Sequence, residues 1–173
     1  MNFQNRIYQL LLTLTLNETA TSKNPSGPNV DIKYLDSILL RDPFGAYCSG
    51  LDASTSGPYI TFPSFSQEMP SVYYAGNGFG GDGPGGFRIS LDSEGLALGD
   101  NGTFWISDEY GPYIYQFSHD GHLLQAIRPP DAFIPLRNGS ASFSADSPPL
   151  YDPNLKADPS DNPTGRDNNQ VRF

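Results

Sequence analysis

Cysteine is almost missing from this 173-residue chain. Cys48 stands alone, so no internal disulfide can form and no cysteine-based zinc site can be built. It reads as a small buried residue. Basic residues are scarce too: ten Lys and Arg face nineteen Asp and Glu, for a net charge of -9. With no basic stripe to neutralise phosphates, nucleic acid is excluded as a partner. The balance suits a secreted protein, or one that collects cations. No run reaches the ~18 apolar residues of a membrane helix. Helical periodicity is nearly absent, and no Gly-x-Ser-x-Gly elbow is present, which disfavours a serine hydrolase of the α/β type.

The opening stretch, "MNFQNRIYQLLLTLTLNETAT", has the outline of a secretion leader, with Arg6 before Leu10-Leu11-Leu12. Gln9, Thr13 and Thr15 interrupt it, however, and no small-residue cleavage site follows. "LLTLTLN" alternates as a half-buried strand does, so a strand is expected there, with the start of the protein upstream of Met1. Three Asn-x-Ser/Thr sequons, at Asn17, Asn101 and Asn138, favour a secretory route and glycosylation.

What the chain has in quantity is glycine (18), proline (16) and aromatics (13%), with 37% hydrophobic residues overall. That is enough for a packed core, in a turn-rich β fold and a single domain over residues 1–173. The clearest architecture runs from Glu94 to Ile127. "EGLAL" (94–98), "TFWIS" (103–107), "YIYQF" (113–117) and "HLLQAI" (122–127) read as strands. Between them, "GDNG", "DEYG" with Pro112, and "SHDG" read as turns. The whole forms an antiparallel meander close to the ~40–45 residues of a propeller blade. A second blade is expected between Thr13 and Ser90, with 31–40 and 71–76 as its likeliest strands. Residues 128–173 read mostly as inter-blade loop. One blade cannot cover both its faces, so the fold class is all-β: an incomplete β-propeller of four-stranded antiparallel blades with long loops.

Strand direction then gathers charge. The start of the first strand and the end of the second share one rim, which brings together Asp92, Glu94, Asp108 and Glu109. Phe104, Trp105, Tyr113, Tyr115 and Phe117 are expected to pack the blade beneath. Four such carboxylates could ligate Ca²⁺, which takes oxygen ligands. Crowded, they could instead split their pKa values and act as acid and base. The plainer alternative is a solvated acidic rim, with Asp108 capping a turn.

Other motifs carry less. "GNGFGGDGPGG" (76–86) contains Gly-x-Gly-x-x-Gly twice, but Pro84 and the strand-like "FRISLD" argue against the helix that a dinucleotide needs. A flexible rim loop beside the site is the expectation. His119 and His122 flank a turn at the opposite rim and read as exposed turn residues. Arg128 precedes Pro129-Pro130 and is expected to pair with an aspartate. Arg128 and Arg166 could each also hold a phosphate or carboxylate by bidentate bonding.

Four segments carry a family resemblance: "GNGFGGDGPGGFRISLDSEGLAL", "GTFWISDEYGPYIYQFSHDG", "AIRPPDAFIP" and "PTGRDNNQ". Together they resemble the phytase-like, or esterase-like, domain of secreted fungal and bacterial proteins, from about Leu12 to Gln170. The resemblance implies a β-propeller whose acidic positions hold an ester- or phosphoester-hydrolysing centre. On that basis Glu94, Asp108, Glu109 and Arg166 are the expected catalytic residues, and Asp92, Glu94, Asp108 and Glu109 the expected Ca²⁺ ligands. The substrate would be a small anionic ester or phosphoester, and the intact protein extracellular. In the family, "NNQ" runs on into a Gly-Phe-Glu-Gly segment of the next blade. Here it gives way to Val171-Arg172-Phe173, so the chain is expected to be a truncated product lacking further blades. The competing expectation is a non-enzymatic, Ca²⁺-stabilised propeller that binds a glycan or protein, or an inactive fragment.

Overall fold

Strands dominate because β-branched and aromatic residues alternate with polar ones throughout. The computed structural model describes residues 3–144 apart from 26, 28, 55, 56, 138 and 139. The described residues form ten strands and two single turns of 3₁₀ helix, at Asp100–Gly102 and Asp131–Phe133. The described chain divides into two compact units, residues 6–38 and the remainder.

The smaller unit is one long hairpin. Strand β1 (Arg6–Leu14) pairs with β2 (Val30–Leu39) as a two-stranded sheet. The alternating "LLTLTLN" segment thus does enter a strand.

In the larger unit, β3 (Ser71–Tyr74) and β4 (Gly86–Ile89) form an antiparallel pair. The four-stranded sheet follows in simple order: β5 (Ser93–Leu98), β6 (Phe104–Asp108), β7 (Ile114–Phe117) and β8 (Leu123–Ile127). Every neighbouring pair is antiparallel. This is the meander expected between Glu94 and Ile127. The "GDNG" turn relies on Asn101 and Gly102, at φ 56° and 75°, where asparagine and glycine are the tolerated residues. A last short pair, β9 (Leu136–Arg137) and β10 (Ser140–Ala141), completes the described strands.

One expectation is corrected. Residues 31–40 and 71–76 do form strands, but not in one second blade: β2 pairs with β1, and β3 with β4. The nine- and ten-residue strands of the hairpin match each other in length and satisfy one another's backbone groups. No closed propeller is formed among the described residues.

The core lies on one face of the four-stranded sheet. Ile106, Tyr113, Tyr115 and Phe117 point inward, with Leu123 and Ala126 from β8. The Tyr113 and Tyr115 rings stack at 5.8 Å, and Phe143 packs edge-on against Tyr113. Leu40, Cys48, Met69, Ile89 and Leu91 are fully buried with them. Each such side chain contributes roughly 1.5–3 kcal/mol relative to leaving it in water. Trp105 lies only half-buried because its register partners are Gln116 and Ala97, which places it on the other face.

Candidate functional site: an acidic rim on a buried carboxyl

Two departures from regular strand geometry build the rim. Asp92 and Glu109 lie directly opposite each other across the β5–β6 pair, where the Glu109 amide donates to the Asp92 carbonyl at 3.0 Å. One step inward, Ser93 pairs with Asp108, but the next pairing is Gly95 with Ser107. Glu94 is therefore an extra residue in β5, a β-bulge. Bulges re-aim a side chain and recur beside functional sites. The result places one carboxylate oxygen each from Asp92, Glu94 and Glu109 within 4.8 Å of one another. Asp92 and Glu109 are half-buried and Glu94 is exposed.

Asp108 is not part of that group. Alternation along β6 turns it inward with Ile106, while Glu109 turns out, and Asp108 is 1% exposed. Its Oδ1 accepts the amides of Asp92 at 2.9 Å and Tyr110 at 3.2 Å. One buried carboxyl thus ties the β4–β5 connection to the loop after β6. The turn-capping alternative is met in the Tyr110 contact, while the reach to Asp92 sixteen residues away adds a strut under the rim.

The electrostatics follow from burial. Loss of water pushes the Asp108 carboxyl well above the usual carboxylate range. The amides of Asp92, Tyr110 and Gly111 oppose that rise, and the neighbouring Asp92 adds to it. Asp108 Oδ2 has no hydrogen-bond partner among the described residues, and neither does the buried Tyr115 hydroxyl. The two groups lie close enough for Asp108 to raise the Tyr115 pKa, second only to burial, yet without the geometry of a hydrogen bond. Tyr115→Phe removes a buried hydroxyl whose approach to the Asp108 carboxyl falls short of a well-formed hydrogen bond. We expect stability in urea unfolding to stay within about 1 kcal/mol of the parent or to rise; a larger loss would show that the hydroxyl is bonded.

On the rim itself, Asp92 is raised by its own partial burial first and by Glu94 second. Tyr110 was not singled out by sequence reasoning, although it follows Asp108-Glu109 directly. Burial first, then Asp92, Asp52, Asp108 and Glu109, push its hydroxyl up to about 12. Tyr110 is thus a neutral donor held among carboxylates. Asp52 is the other residue missed, and its Oδ2 accepts the Ser144 hydroxyl at 2.7 Å. Nothing in its surrounding sequence marks it.

The remaining candidates lie elsewhere. Arg166 is outside the described residues. Arg128 pairs with Asp131 at 2.6 Å, as expected of it. His122 pairs with Asp120 at 3.2 Å in the turn after β7, and His119 is exposed there. The glycine-rich loop is followed by β4, so no helix is available to receive a pyrophosphate. It joins β3 to β4 at the end of β4 away from Asp92, which corrects its expected place beside the rim. Strand direction is the reason: the loop precedes Gly86, whereas Asp92 lies beyond Ile89. Arg88 holds it by donating to the Asn77 carbonyl at 2.7 Å.

The structure thus defines an all-β, antiparallel protein with a clustered acidic rim at one sheet edge. The chain belongs to the phytase-like family, described as "Esterase-like activity of phytase", whose model matches residues 3–170. It is 58% identical over 170 residues to an "Uncharacterized secreted protein" of Arthroderma benhamiae (strain ATCC MYA-4681 / CBS 112371). That match covers 98% of this chain and 33% of the relative, so the chain spans about a third of the relative's length. No solved structure matches it. No helix among the described residues is long and apolar enough to cross a membrane.

Proposed function

We propose that the chain contributes an acidic, Ca²⁺-binding rim to an extracellular hydrolase of small anionic esters or phosphoesters, built as a β-propeller. The single observation that carries this reading is the bulge at Glu94. It converges three carboxylates within 4.8 Å while Asp108 braces them from below. Like charges so placed repel, and a regular strand would have spread them.

The donor set fits the ion. Calcium is a hard cation that takes oxygen ligands at ~2.3–2.6 Å, so two ligands across it stand about 5 Å apart. The rim oxygens fall within that span. When bound, the ion would offset the repulsion and polarise an ester or phosphoryl oxygen. The chain's own residues do the rest. In this reading Asp92, Glu94 and Glu109 would hold the ion, a Glu94 or Glu109 carboxylate not engaged by it would move a proton, and Tyr110 stands beside them with its hydroxyl donating to the Gly50 carbonyl at 3.4 Å. Arg166 is assigned to orient an anionic substrate. Membership in a family described by esterase-like activity supports the reaction class, and the secreted relative supports the extracellular setting.

The test is thermal unfolding of the 173-residue chain with and without millimolar Ca²⁺. A ligand that binds only the folded state raises the midpoint, by the equivalent of about 2.7 kcal/mol at a hundredfold excess over Kd. We expect an upward shift in the parent and none in Glu94→Gln/Glu109→Gln. A shift of equal size in both would move the ion off this rim, and no shift in the parent would remove it.

A further inference from the structure

The β1–β2 hairpin presents a feature that the acidic rim does not use. The Thr15 amide donates to the Asn29 carbonyl at 2.8 Å, which marks the far end of the pair, and the Leu40 amide donates to the Asn5 carbonyl at the root. The strands therefore run antiparallel. Tyr8 and Tyr34 meet edge to face at 6.3 Å, so they share a side of the ribbon. Alternation then assigns Leu10, Leu12 and Leu14 of β1 to that side, with Val30 and Ile32 of β2. All seven residues are exposed, from 46% at Leu10 to 61% at Leu12 and Ile32. The opposite side mixes Ile7, Leu11 and Leu35 with Gln9, Thr13, Asp31 and Lys33, so its apolar residues are interrupted by polar and charged ones.

A two-stranded ribbon with one apolar, exposed side is at best marginally stable in water. Such a side marks an interaction surface. Charge indicates the occupant. Residues 6–38 hold three cations (Arg6, Lys23, Lys33) and three anions (Glu18, Asp31, Asp36), a net of zero, so the whole -9 lies outside the hairpin. The hairpin is therefore a segment without net charge through which two copies of an acidic chain can meet with little repulsion. The two charged residues on the apolar side, Arg6 and Asp36, sit at its root and are opposite in sign. A lipid surface would be recognised by a basic rim, and the hairpin carries none. The seven side chains expose on the order of 100 Å² each, so joining two such faces removes roughly 1,400 Å², the size of a specific interface.

We propose that the Tyr8–Leu14 and Val30–Tyr34 side of the hairpin is a homodimer interface, closing face to face on the same side of a second copy. The packing is that of two stacked sheets, about 10 Å apart, and the two-fold arrangement buries each apolar stripe against its equal.

Sedimentation velocity of the 173-residue chain between about 1 and 100 µM reads this directly, because mass action must populate a dimer in the upper part of that range. The parent is expected to dimerise, with Leu12→Lys and Ile32→Lys monomeric at every concentration. Leu11→Lys, on the opposite side of the same strand, is expected to dimerise as the parent does. Trp105 fluorescence, reporting the other unit, should be identical in all four proteins. Leu12→Thr/Ile32→Thr keeps strand propensity and should also dissociate, which separates a lost interface from a lost strand. A monomeric parent overturns the proposal, as does a dimer that survives Leu12→Lys and Ile32→Lys. Flotation of the monomer with phosphatidylcholine or phosphatidylglycerol vesicles overturns it in favour of a lipid surface. None of these outcomes depends on Ca²⁺ or on turnover.

Discussion

Asp108→Ala is expected to lower the free energy of unfolding by about 2–4 kcal/mol, with Asp108→Asn costing less than about half as much. The difference lies in what each change leaves behind. Alanine removes Oδ1, so the amides of Asp92 and Tyr110 lose a buried acceptor at once. Each orphaned donor carries a desolvation penalty of about 1–3 kcal/mol, and the lost volume adds a small cavity. Asparagine keeps the acceptor and replaces only Oδ2, which has no partner to lose. Urea unfolding at constant m measures the gap as a shift in midpoint. Equal losses for the two variants would show that Asp108 acts by charge and not as a strut. Because the strut fixes Asp92 on the rim, Asp108→Ala should also shrink the Ca²⁺-induced rise in melting temperature.

Burial of the same carboxyl fixes a pH dependence. The folded-state pKa of Asp108 lies above its unfolded value of about 3.9. Between the two values the folded chain holds a proton that the unfolded chain has released. Stability is therefore fully present below the unfolded pKa and falls as pH rises towards the folded one, by at most about 1.4 kcal/mol per unit. Asp108→Asn cannot titrate, so its profile from about pH 4 upward should be flatter than the parent's. Asp92 is raised in the same direction and contributes a residual slope to both proteins. Parallel profiles would mean that Asp108 does not hold a proton in the folded state.

Much of this arrangement was written in local pattern. The four strands from Ser93 to Ile127 follow from period-two alternation broken by Asn-Gly and Asp-Gly turns. Those signals are short-range, so a single chain reveals them. Strand direction then sufficed to bring Asp92, Glu94 and Glu109 to one rim. Two things were not legible. The first was the sidedness of Asp108. Adjacent carboxylates in a strand must face opposite ways, yet which one turns inward depends on which face of β6 packs on the core, and Asp108 shares its face with the buried Ile106. The residue that looks like half of a pair is a buried brace, and only Glu109 faces out. The second was the partner of each early strand. The alternation in 6–14 and 30–39 predicts strands but carries no information on which strand joins which. Thus β2 paired with β1 instead of sharing a sheet with β3. Asp52 belongs with these, since it approaches the rim through tertiary packing and no motif surrounds it.

If the intact protein is the proposed hydrolase, Glu94→Gln and Glu109→Gln are each expected to lower its kcat/KM towards ester and phosphoester substrates by about 10²–10⁴-fold, the usual worth of a positioned general acid or base. Glutamine keeps the length and hydrogen-bonding oxygen of glutamate and removes only its charge and proton. Both residues lie on the surface of the sheet edge, with Glu94 exposed and Glu109 half-buried. Neither change opens a core cavity, so far-UV circular dichroism and the unfolding midpoint without Ca²⁺ should match the parent. The Glu94→Gln change should even relieve Asp92, whose raised pKa owes its second cause to Glu94. Chromogenic p-nitrophenyl acetate and p-nitrophenyl phosphate separate the two substrate classes in one assay format. If Glu94→Gln and Glu109→Gln lose the Ca²⁺ shift and turnover together, the ion and the chemistry share the rim. If they lose the shift yet keep turnover, the carboxylates hold a structural ion and catalysis lies elsewhere. If the parent shows the shift but turns over neither substrate, the rim serves a Ca²⁺-stabilised binding protein.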